Sequence, residues 1–536
     1  MKNIEVFNDY DMVVCVPTKT INDQLVHLLK GGTIKPEFVV VQKLDGQNYS
    51  YEVLEQGSQI PRDAKGVPTV ACIDGKIVPS VVVAESGTTI TFVLKFQSGT
   101  AYFWQGNGPL AKLTPYDMTG WSYGIGITLD LAAVEKDDIG RKIVVPKLVE
   151  DQLRHFMSSM FTVNHLFMDF ESTNLVRFDP AHSSAGSAGD AGLQQLVLFM
   201  NFYLKYLQAH GNPYILGYAL TTGEATRYDK DQNVPDALKP TGTTFTLFHD
   251  PADASRSNLN FVLVTKGGHG KITGTPGTFD SNWIAPNEQC DAKMIYSHDV
   301  LIERFILRPF YDKLRNDVYA GIAEHISVPI GNEYAAGRTA TGTGFNYVIS
   351  DKASGDDQYV NRYSVDLEND QTTIRIKFTG HIALYKEVDR DMGFCNAKAH
   401  ASGSVDWSSV VTISAQKNAS GQPTLKLDRA FSIGSHHQDQ DRNTCAEAFA
   451  WIGKILGTIL DVLSAMTDKG FFSKLLDAVF DLRIPGLGDL NAAFGNIGGS
   501  IGTVLILPAG QVFWFKTPSI DHQANLALQL TYKAEN

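Results

Sequence analysis

One short segment has the spacing of a hydrolase nucleophile. The stretch GGSIG, at 498–502, matches the pattern G-x-S-x-G, in which a strained turn exposes a serine for nucleophilic attack. That turn requires a strand before the serine and a helix after it. Here a glycine-rich loop precedes Ser500, and an apolar segment typical of a strand follows at 503–507. Because this order is reversed, the sequence favours a plain turn over a serine hydrolase.

A second segment contains side chains that can bind a metal ion. The stretch SHHQDQDRNTC, at 435–445, holds His436, His437, Asp439, Asp441 and Cys445. Adjacent histidines in a strand point to opposite faces, and an irregular loop does not hold ligands in a fixed geometry. The sequence therefore predicts a polar loop with no metal. We expect this loop to lead into a helix that is capped by Thr444, with Glu447 completing a T-x-x-E capping box.

Two further polar segments lack what their chemistry requires. The stretch KGGHGK, at 266–271, resembles a phosphate-binding loop, but Thr265 replaces the first glycine and Ile272 replaces the Ser or Thr. The stretch DRD, at 389–391, pairs two carboxylates with nothing nearby in the sequence to separate their pKa values. We expect a loop in the first case and a solvated turn in the second. No catalytic residue, metal or cofactor is predicted.

The composition of the chain limits the classes of partner that it could bind. The 536 residues carry a formal net charge of -12, and no basic run or stripe is present. This charge disfavours nucleic acid as a partner. The start MKNIEVFNDYD lacks the apolar region of a secretory signal, so we expect a cytoplasmic protein or one exported by a non-classical route. Three charges within the apolar segment at 445–466 argue against a membrane-spanning helix: Glu447, Lys454 and Asp461.

The cysteines do not form a recognisable pattern. They are far apart, odd in number and without a C-x-x-C pair: Cys15, Cys72, Cys290, Cys395 and Cys445. This spacing argues against a disulfide framework and against a zinc knuckle. We therefore expect buried thiols in a reducing compartment.

Most of the predicted elements are strands. Apolar and polar residues alternate in several segments, notably at 90–96, 125–131, 374–384 and 526–532. One buried face per strand is typical of antiparallel sheets. Between the strands, apolar residues recur at helical spacing, which predicts helices at 147–160, 190–211, 444–466 and 471–482.

The order of these elements repeats along the chain. A strand followed by a helix opens the chain at 13–32, where Thr18 is expected to cap the helix, and a similar unit recurs at 294–310. Each unit is followed by strands, a long amphipathic helix and further strands. This repeat of pattern predicts two modules, at 1–290 and 291–536, which a glycine- and proline-rich segment at 263–290 would join.

Several stretches resemble a known family. The forty-seven-kilodalton and OrfX proteins, encoded beside clostridial neurotoxins, are similar to NDYDMVVCVPTKTINDQL, GWSYGIGITLDLAAV, VNHLFMDFESTNL, PTGTTFTLFHD, LNFVLVTK and LILPAGQVFWFKTPSIDHQANLALQLTY. The order of strands and long helices also resembles the tubular lipid-binding (TULIP) superfamily. The resemblance implies an α+β fold of two elongated modules, each a strongly curved antiparallel sheet wrapped around long amphipathic helices. It also implies no enzymatic activity.

Three alternatives for function remain open, in falling order, and the resemblance supports the first two. The first is a binding protein that sequesters a lipid or another apolar molecule between sheet and helix, as an accessory of a bacterial toxin cluster. The second is an assembly subunit that binds toxin-complex proteins and has a filled core. The third is a serine hydrolase. In the first, the ligand would be lined by helix-stripe residues that could equally fill the core: Leu25, Leu28, Leu196, Met200, Leu204, Ile452, Leu456 and Leu460.

Overall fold

The computed structural model describes residues 10–45, 48–83, 89–106, 110–135, 137–141, 143–158, 161–168, 178–222, 240–265, 267, 279, 281–323, 326–328, 330, 334, 339–341, 344–355, 357–370, 373–417, 423–467, 505–509, 514–521 and 525–532. The predicted helix at 471–482 and the GGSIG stretch at 498–502 lie outside these residues, as does most of KGGHGK.

Strands dominate the described chain. In chain order they are β1 Met12–Pro17, β2 Glu37–Asp45, β3 Asn48–Val53, β4 Cys72–Val83, β5 Thr89–Gln105, β6 Lys112–Asp117, β7 Ser122–Ala133, β8 Phe161–Met168, β9 Phe178–Ser184, β10 Ile215–Thr222, β11 Pro240–Phe248, β12 Asn258–Thr265, β13 Ala292–Tyr296, β14 Thr339–Thr341, β15 Gly344–Ser354, β16 Asp357–Asp370, β17 Thr373–Asp391, β18 Asn396–Lys417, β19 Pro423–Arg442, β20 Leu505–Ile506, β21 Trp514–Ile520 and β22 Leu526–Thr531.

The helices are fewer and stand between runs of strands. They are α1 Thr18–Lys30, α2 Lys147–Ser158, α3 Gly189–His210, α4 Arg308–Ile322, α5 Thr444–Glu447 and α6 Ala450–Thr467. A π-helical stretch, Asp299–Leu307, continues directly into α4. The predicted helices at 147–160, 190–211 and 444–466 are thus confirmed in position, although the last is interrupted between Glu447 and Ala450.

The strands form three antiparallel sheets. The central sheet has the order β11-β12-β1-β13-β22-β21. The amino-terminal sheet has the order β20-β10-β8-β7-β5-β4-β2-β3, with β6 paired to β5 and β9 paired to β7. The carboxyl-terminal sheet has the order β14-β15-β16-β17-β18-β19. One of the three sheets curves strongly into a half-barrel. The predicted α+β fold class is therefore confirmed.

The central sheet combines distant parts of the chain. Strand β1 pairs with β12 on one side and with β13 on the other, so that Val14 lies opposite both Phe261 and Met294. Strand β13 in turn pairs with β22. Strands from both sides of residue 290 therefore hydrogen-bond in one sheet. The division into modules at 1–290 and 291–536 stays a prediction.

Two predicted helix caps are wrong by one residue. Thr18 is the first residue of α1, and its hydroxyl donates 2.7 Å to the carbonyl of Ser257 rather than capping the helix. Asn443, not Thr444, caps α5, because its side-chain oxygen accepts a hydrogen bond from the Ala446 amide at 2.9 Å. The Asn443 amide group also donates to the carbonyl of Asn396, which fixes the side chain in the capping position.

Two predicted loops are parts of strands. Residues 435–442 end β19, where Asp439 lies opposite Ser402 and Asp441 lies opposite His400. The residues 435–442 are exposed on both faces, so no apolar alternation signals the strand. Likewise, the DRD stretch at 389–391 is the end of β17 rather than a turn.

The expectation of free thiols is wrong for two cysteines. Cys395 and Cys445 form a disulfide with a Cα–Cα distance of 6.1 Å. The pairing arises because the turn between β17 and β18 meets α5, a contact that sequence spacing does not reveal. Cys15 and Cys72 are buried free thiols, as predicted, and Cys290 is partly buried. Burial raises the pKa of the Cys72 thiol to about 12 and so keeps it protonated.

The inner face of the carboxyl-terminal sheet packs tightly against α4. The ring of Phe310 lies 5.3 Å from that of Tyr363, 4.8 Å from Phe378 and 5.8 Å from Trp407, measured between centroids. Gly380 provides the space for the Trp407 indole, because a Cβ at this position would overlap the indole ring. The sheet therefore depends on a residue without a side chain at 380.

Replacing Gly380 with alanine is expected to lower the free energy of unfolding by about 1–3 kcal/mol, because the added methyl forces Trp407 out of its site. Urea denaturation followed by circular dichroism would measure this. The matched control is Gly457→Ala in α6, where no atom outside the helix's own backbone lies within 4 Å of the added Cβ. Alanine there should leave stability unchanged or raise it by roughly 0.5–1 kcal/mol. Equal effects of the two substitutions would contradict this account of Gly380.

Candidate ligand-binding site

Helix α1 carries the first two predicted ligand-lining residues. Its buried stripe contains Leu25 and Leu28, which are at most 1% exposed. Asn22 fastens this helix to β4, since its side-chain oxygen accepts from the Val81 amide at 2.7 Å and its nitrogen donates to the Val81 carbonyl at 3.1 Å. The stripe of α1 is therefore held against the sheet core.

Helix α3 lies on the amino-terminal sheet in the same way. Leu196, Met200 and Leu204 are fully buried. Aromatic side chains surround them: Phe199 lies 5.0 Å from Tyr51, and Tyr203 lies 4.7 Å from Phe38, between ring centroids. The apolar stripe predicted for this helix thus faces the sheet.

Helix α6 lies on the carboxyl-terminal sheet beside α4. Ile452 and Leu456 are buried, and Leu460 is half-buried. All eight predicted lining residues belong to, or pack against, one continuous apolar cluster. The faces of the helices were predicted correctly. That these residues line a ligand stays a prediction.

A cleft of about 500 Å³ opens at the carboxyl end of α1. It is lined by His27, Gly31, Gly32, Thr33, Val144, Val145, Pro146, Lys147 and Ala509. Gly32 has a φ of 75°, and apart from its chain neighbours no atom lies within 4 Å of the point where a Cβ would stand, so Gly32 leaves this side of the cleft open. The Thr33 and Ile34 amides both donate to the Leu28 carbonyl, at 3.0 and 3.2 Å, which fixes the turn.

Three separate segments meet at this cleft. The end of α1 supplies one wall, residues 144–147 at the start of α2 supply another, and Ala509 supplies the third. The Ala509 amide donates to the Gln24 side-chain oxygen at 3.3 Å, which ties the third wall to α1. In the sequence, Gly31 and Gly32 stand only at the end of the predicted strand–helix unit at 13–32. Nothing in the sequence indicated that Val145 and Ala509 lie beside them.

The cleft combines apolar and cationic chemistry. Val144, Val145 and Pro146 provide apolar surface, whereas His27 and Lys147 provide nitrogen donors. Hydrogen bonds to Asp151 and then to Glu150 raise the pKa of Lys147, so the ammonium stays charged. A volume of this size is typical of sites for small molecules, which fill roughly 300–1,000 Å³. The cleft therefore places a short apolar wall beside polar groups, and the Lys147 ammonium at its rim is paired with Asp151 and Glu150.

A trio on the outer face of the carboxyl-terminal sheet has the residue types of a hydrolase but not the order. Asp406 bridges the other two, accepting from Ser435 and lying 2.7 Å from His381 Nδ1. In a nucleophilic triad the histidine holds the middle position and removes the proton from the serine. Here the aspartate holds that position, so His381 does not act on Ser435. These hydrogen bonds, led by that of Ser435, lower the pKa of Asp406.

Metal binding and membrane spanning each require a feature that the described residues do not contain. Within those ranges, no group of three or more His, Cys, Asp or Glu side chains is placed to hold a metal ion. His436 and His437 are exposed on β19. No described helix combines the length and apolarity needed to cross a membrane.

These features define an α+β protein in which amphipathic helices lie on antiparallel sheets, one of which is strongly curved. Among solved structures, the chain is similar to P47 from Clostridium botulinum A2, with 10% identity, a TM-score of 0.42 and 98% of each chain covered. It is also similar to P47 of Clostridium botulinum E1, with 12% identity, a TM-score of 0.45, and 98% of this chain and 99% of that chain covered. The predicted resemblance to the forty-seven-kilodalton proteins is confirmed.

A third similar structure is a lipopolysaccharide binding protein, with 10% identity, a TM-score of 0.29, and 98% of this chain and 100% of that chain covered. No sequence-family profile matches the chain. No curated protein sequence matches it either.

Proposed function

We propose that this is a non-enzymatic binding protein that sequesters a lipid or another amphiphilic molecule. The observation that carries the proposal is the cleft at the end of α1, with Val144, Val145 and Pro146 on its wall and Lys147 at its rim. An acyl group in the cleft would gain about 0.8 kcal/mol for each methylene removed from water. A polar end of the ligand would lie at the rim, beside Lys147 and its partners Asp151 and Glu150. An accessory role beside a bacterial toxin is part of this proposal.

A second function is supported by a different observation. Seven of the eight predicted lining residues are at most 2% exposed, and side chains of the core surround them. A filled core favours an assembly subunit that works through its outer surface and binds partner proteins, toxin-complex proteins among them. The two functions differ in whether the cleft takes a ligand.

The disulfide is informative about the cellular location of the protein. Disulfides persist where the surroundings are oxidising and are rare in the cytosol. The Cys395–Cys445 bond therefore favours export over a cytoplasmic location.

The experiment that tests the first function fills the cleft. Ala509→Trp places a large ring beside Gly32 and Val145, whereas Ala320→Trp places the same ring on the exposed side of α4. We expect the wild-type protein and Ala320→Trp to bind cis-parinaric acid, a fluorescent fatty acid, and Ala509→Trp to bind it at least about tenfold more weakly. Urea denaturation would establish that both variants are folded.

Native mass spectrometry of the purified protein supplies the second measurement. A co-purified acyl species that is lost in Ala509→Trp would support sequestration. Protein without any such species, together with equal parinaric acid binding by wild type and Ala509→Trp, would refute the cleft as the site. A tight protein partner found under those conditions would support the assembly subunit.

A further inference from the structure

The chain contains two aspartate–proline bonds. One is Asp179–Pro180 in β9, and the other is Asp250–Pro251 shortly after β11. The nitrogen of a proline carries no hydrogen and forms a tertiary amide. The carboxylate of the preceding aspartate can attack its own main-chain carbonyl through a five-membered ring and expel this nitrogen, provided that a proton reaches it. Both bonds therefore contain a nucleophile, and they differ in what surrounds it.

The two aspartates form the same local turn. Asp179 Oδ1 accepts a hydrogen bond from the Ala181 amide at 2.9 Å, and Asp250 Oδ1 accepts one from the Ala252 amide at 3.0 Å. In such a turn the side chain folds back across the aspartate–proline peptide, so the carboxylate lies beside the bond that it would attack. This turn therefore does not distinguish the two bonds.

The partners of the second carboxylate oxygen do distinguish them. Asp179 Oδ2 lies 2.7 Å from His182 Nδ1 and accepts from the Thr91 hydroxyl at 3.0 Å. Asp250 Oδ2 instead lies 3.4 Å from a guanidinium nitrogen of Arg256. Histidine gains and loses a proton between pH 5 and 8, whereas an arginine in a protein does not give up its proton. A transferable proton therefore stands beside the first bond and not beside this oxygen of the second.

The other surroundings of the second bond are also less favourable. The Asp179 side chain is 21% exposed, whereas that of Asp250 is 9% exposed. Water, which must hydrolyse the cyclic intermediate, reaches the first site more readily. His249 precedes the second bond, but its Nδ1 lies 3.2 Å from the Val83 carbonyl oxygen and so has a different partner.

We infer that the chain cleaves itself at the Asp179–Pro180 bond in mildly acidic solution. A carboxylate oxygen of Asp179 bonds to the carbonyl carbon of the same residue, and the bond from that carbon to the Pro180 nitrogen breaks. His182, as imidazolium, donates its proton to the leaving nitrogen. Water then opens the five-membered anhydride and releases two protons, which return to His182 and to the new proline amine. One water is consumed, and no oxidant or reductant takes part.

The pH window follows from the two groups that face each other. Burial disfavours the ionised form of Asp179, but hydrogen bonds from His182 and Thr91 outweigh it and lower the pKa of this carboxyl. The carboxylate therefore persists at a pH at which histidine carries a proton. Cleavage should increase as the pH falls from 8 to 5 and decrease again where Asp179 itself becomes protonated.

The other groups that pack against this site fit the same window. On β7, the uncharged Gly124 lies opposite Asp179, and Tyr123 stands beside it. Helix α3 also packs against β9, and its titratable side chains are Asp190, Tyr203, Lys205, Tyr206 and His210. Tyrosine and lysine do not change charge in mild acid. Asp190 and His210 lie at the two ends of this helix.

This inference goes beyond the proposed function and does not depend on it, because other segments line the α1 cleft. After cleavage, β1 of the first fragment still pairs with β12 and β13 of the second. The two fragments should therefore stay associated in native solution, and a denaturing measurement is needed to see them.

Incubation of the purified full chain at pH 5 and at pH 8 tests the inference. Denaturing electrophoresis and intact mass spectrometry should show fragments 1–179 and 180–536 at pH 5, with little cleavage at pH 8. The larger fragment should begin with Pro180. The fraction cleaved should not depend on protein concentration, because the reaction takes place within one molecule. Cleavage at Asp250–Pro251 should be at least about tenfold slower.

Two substitutions identify the participating groups. His182→Gln keeps a hydrogen-bond donor without a transferable proton and should slow cleavage at pH 5 by roughly a hundredfold. Asp179→Asn removes the carboxylate and should stop it. The matched control is His249→Gln, which changes the histidine beside the other aspartate–proline bond and should leave cleavage at Asp179–Pro180 unchanged.

A comparison in concentrated urea at pH 5 needs no substitution. Unfolding removes the different surroundings of the two bonds, so both should then be cleaved at similar rates. Wild-type protein that stays intact at pH 5 would overturn the inference. Equal cleavage of both bonds in the folded chain would also overturn it, because that result is the ordinary acid lability of aspartate–proline bonds. Equal rates in wild type and folded His182→Gln would exclude His182 as the proton donor and overturn the mechanism.

Discussion

Replacing Arg304 with methionine is expected to lower the free energy of unfolding by about 3–5 kcal/mol. The reason is Asp11, whose side chain is 0% exposed and lies 2.9 Å from the Arg304 guanidinium. Without Arg304, the Asp11 carboxylate stays buried and loses the cation that compensates its desolvation. Urea denaturation of the two proteins at neutral pH would measure the difference.

The surroundings of this pair explain why its effect should be large. Arg304 also donates to Asp299 at 2.8 Å and to the Thr265 hydroxyl at 3.0 Å. Asp11 accepts in turn from the Thr265 amide at 2.6 Å. The network therefore connects the start of β1, the end of β12 and the π-helical stretch before α4. Its loss affects the central sheet, in which β13 lies between β1 and β22 and joins them.

The matched control removes an arginine from a surface pair. Arg154 in α2 lies 2.8 Å from Glu150, and the two side chains are 46% and 27% exposed. Arg154→Met should cost about 1 kcal/mol or less, since solvent screens such pairs. Adding Asp11→Asn to Arg304→Met should recover part of the stability, because the amide still accepts from Thr265 without a buried charge. Equal losses of unfolding free energy in Arg304→Met and Arg154→Met would show that the buried Asp11–Arg304 pair stabilises the fold no more than a surface pair does.

The fold could be predicted from the sequence where each strand has one buried face. Ile374, Ile376 and Phe378 alternate with polar residues, and all three are buried on β17. Strand β19 could not be predicted over 435–442, because both of its faces are exposed there and polar residues occupy both. Alternation reports burial, so a fully exposed strand gives no such signal.

Contacts between distant residues were beyond the reach of the sequence. Asp11 and Arg304 are 293 residues apart, and each alone is an ordinary charged residue. The same holds for the candidate site. The apolar stripe of α1 was predicted, but the cleft beside it depends on Val145 and Ala509, which only the tertiary fold brings to Gly32. Hydrophobic periodicity shows which face of a helix is buried, but it does not show whether the packed side chains leave a cleft.

The second large effect is expected at the disulfide. Replacing both Cys395 and Cys445 with serine should lower the free energy of unfolding by about 2–4 kcal/mol. The bond joins residues 50 apart in sequence, so its loss opens a long closed loop and gives the unfolded chain more conformational freedom. In the folded state, the Asn443 hydrogen bonds would still join the turn before β18 to the start of α5.

A reducing agent separates this effect from other consequences of the substitutions. It should destabilise the wild-type protein by nearly the same amount and leave the double serine variant unchanged, because the other cysteines are free thiols. Rapid alkylation of Cys395 in the unreduced folded protein would contradict the pairing. Reduction should leave parinaric acid binding at the α1 cleft intact, because neither Cys395 nor Cys445 lines that cleft.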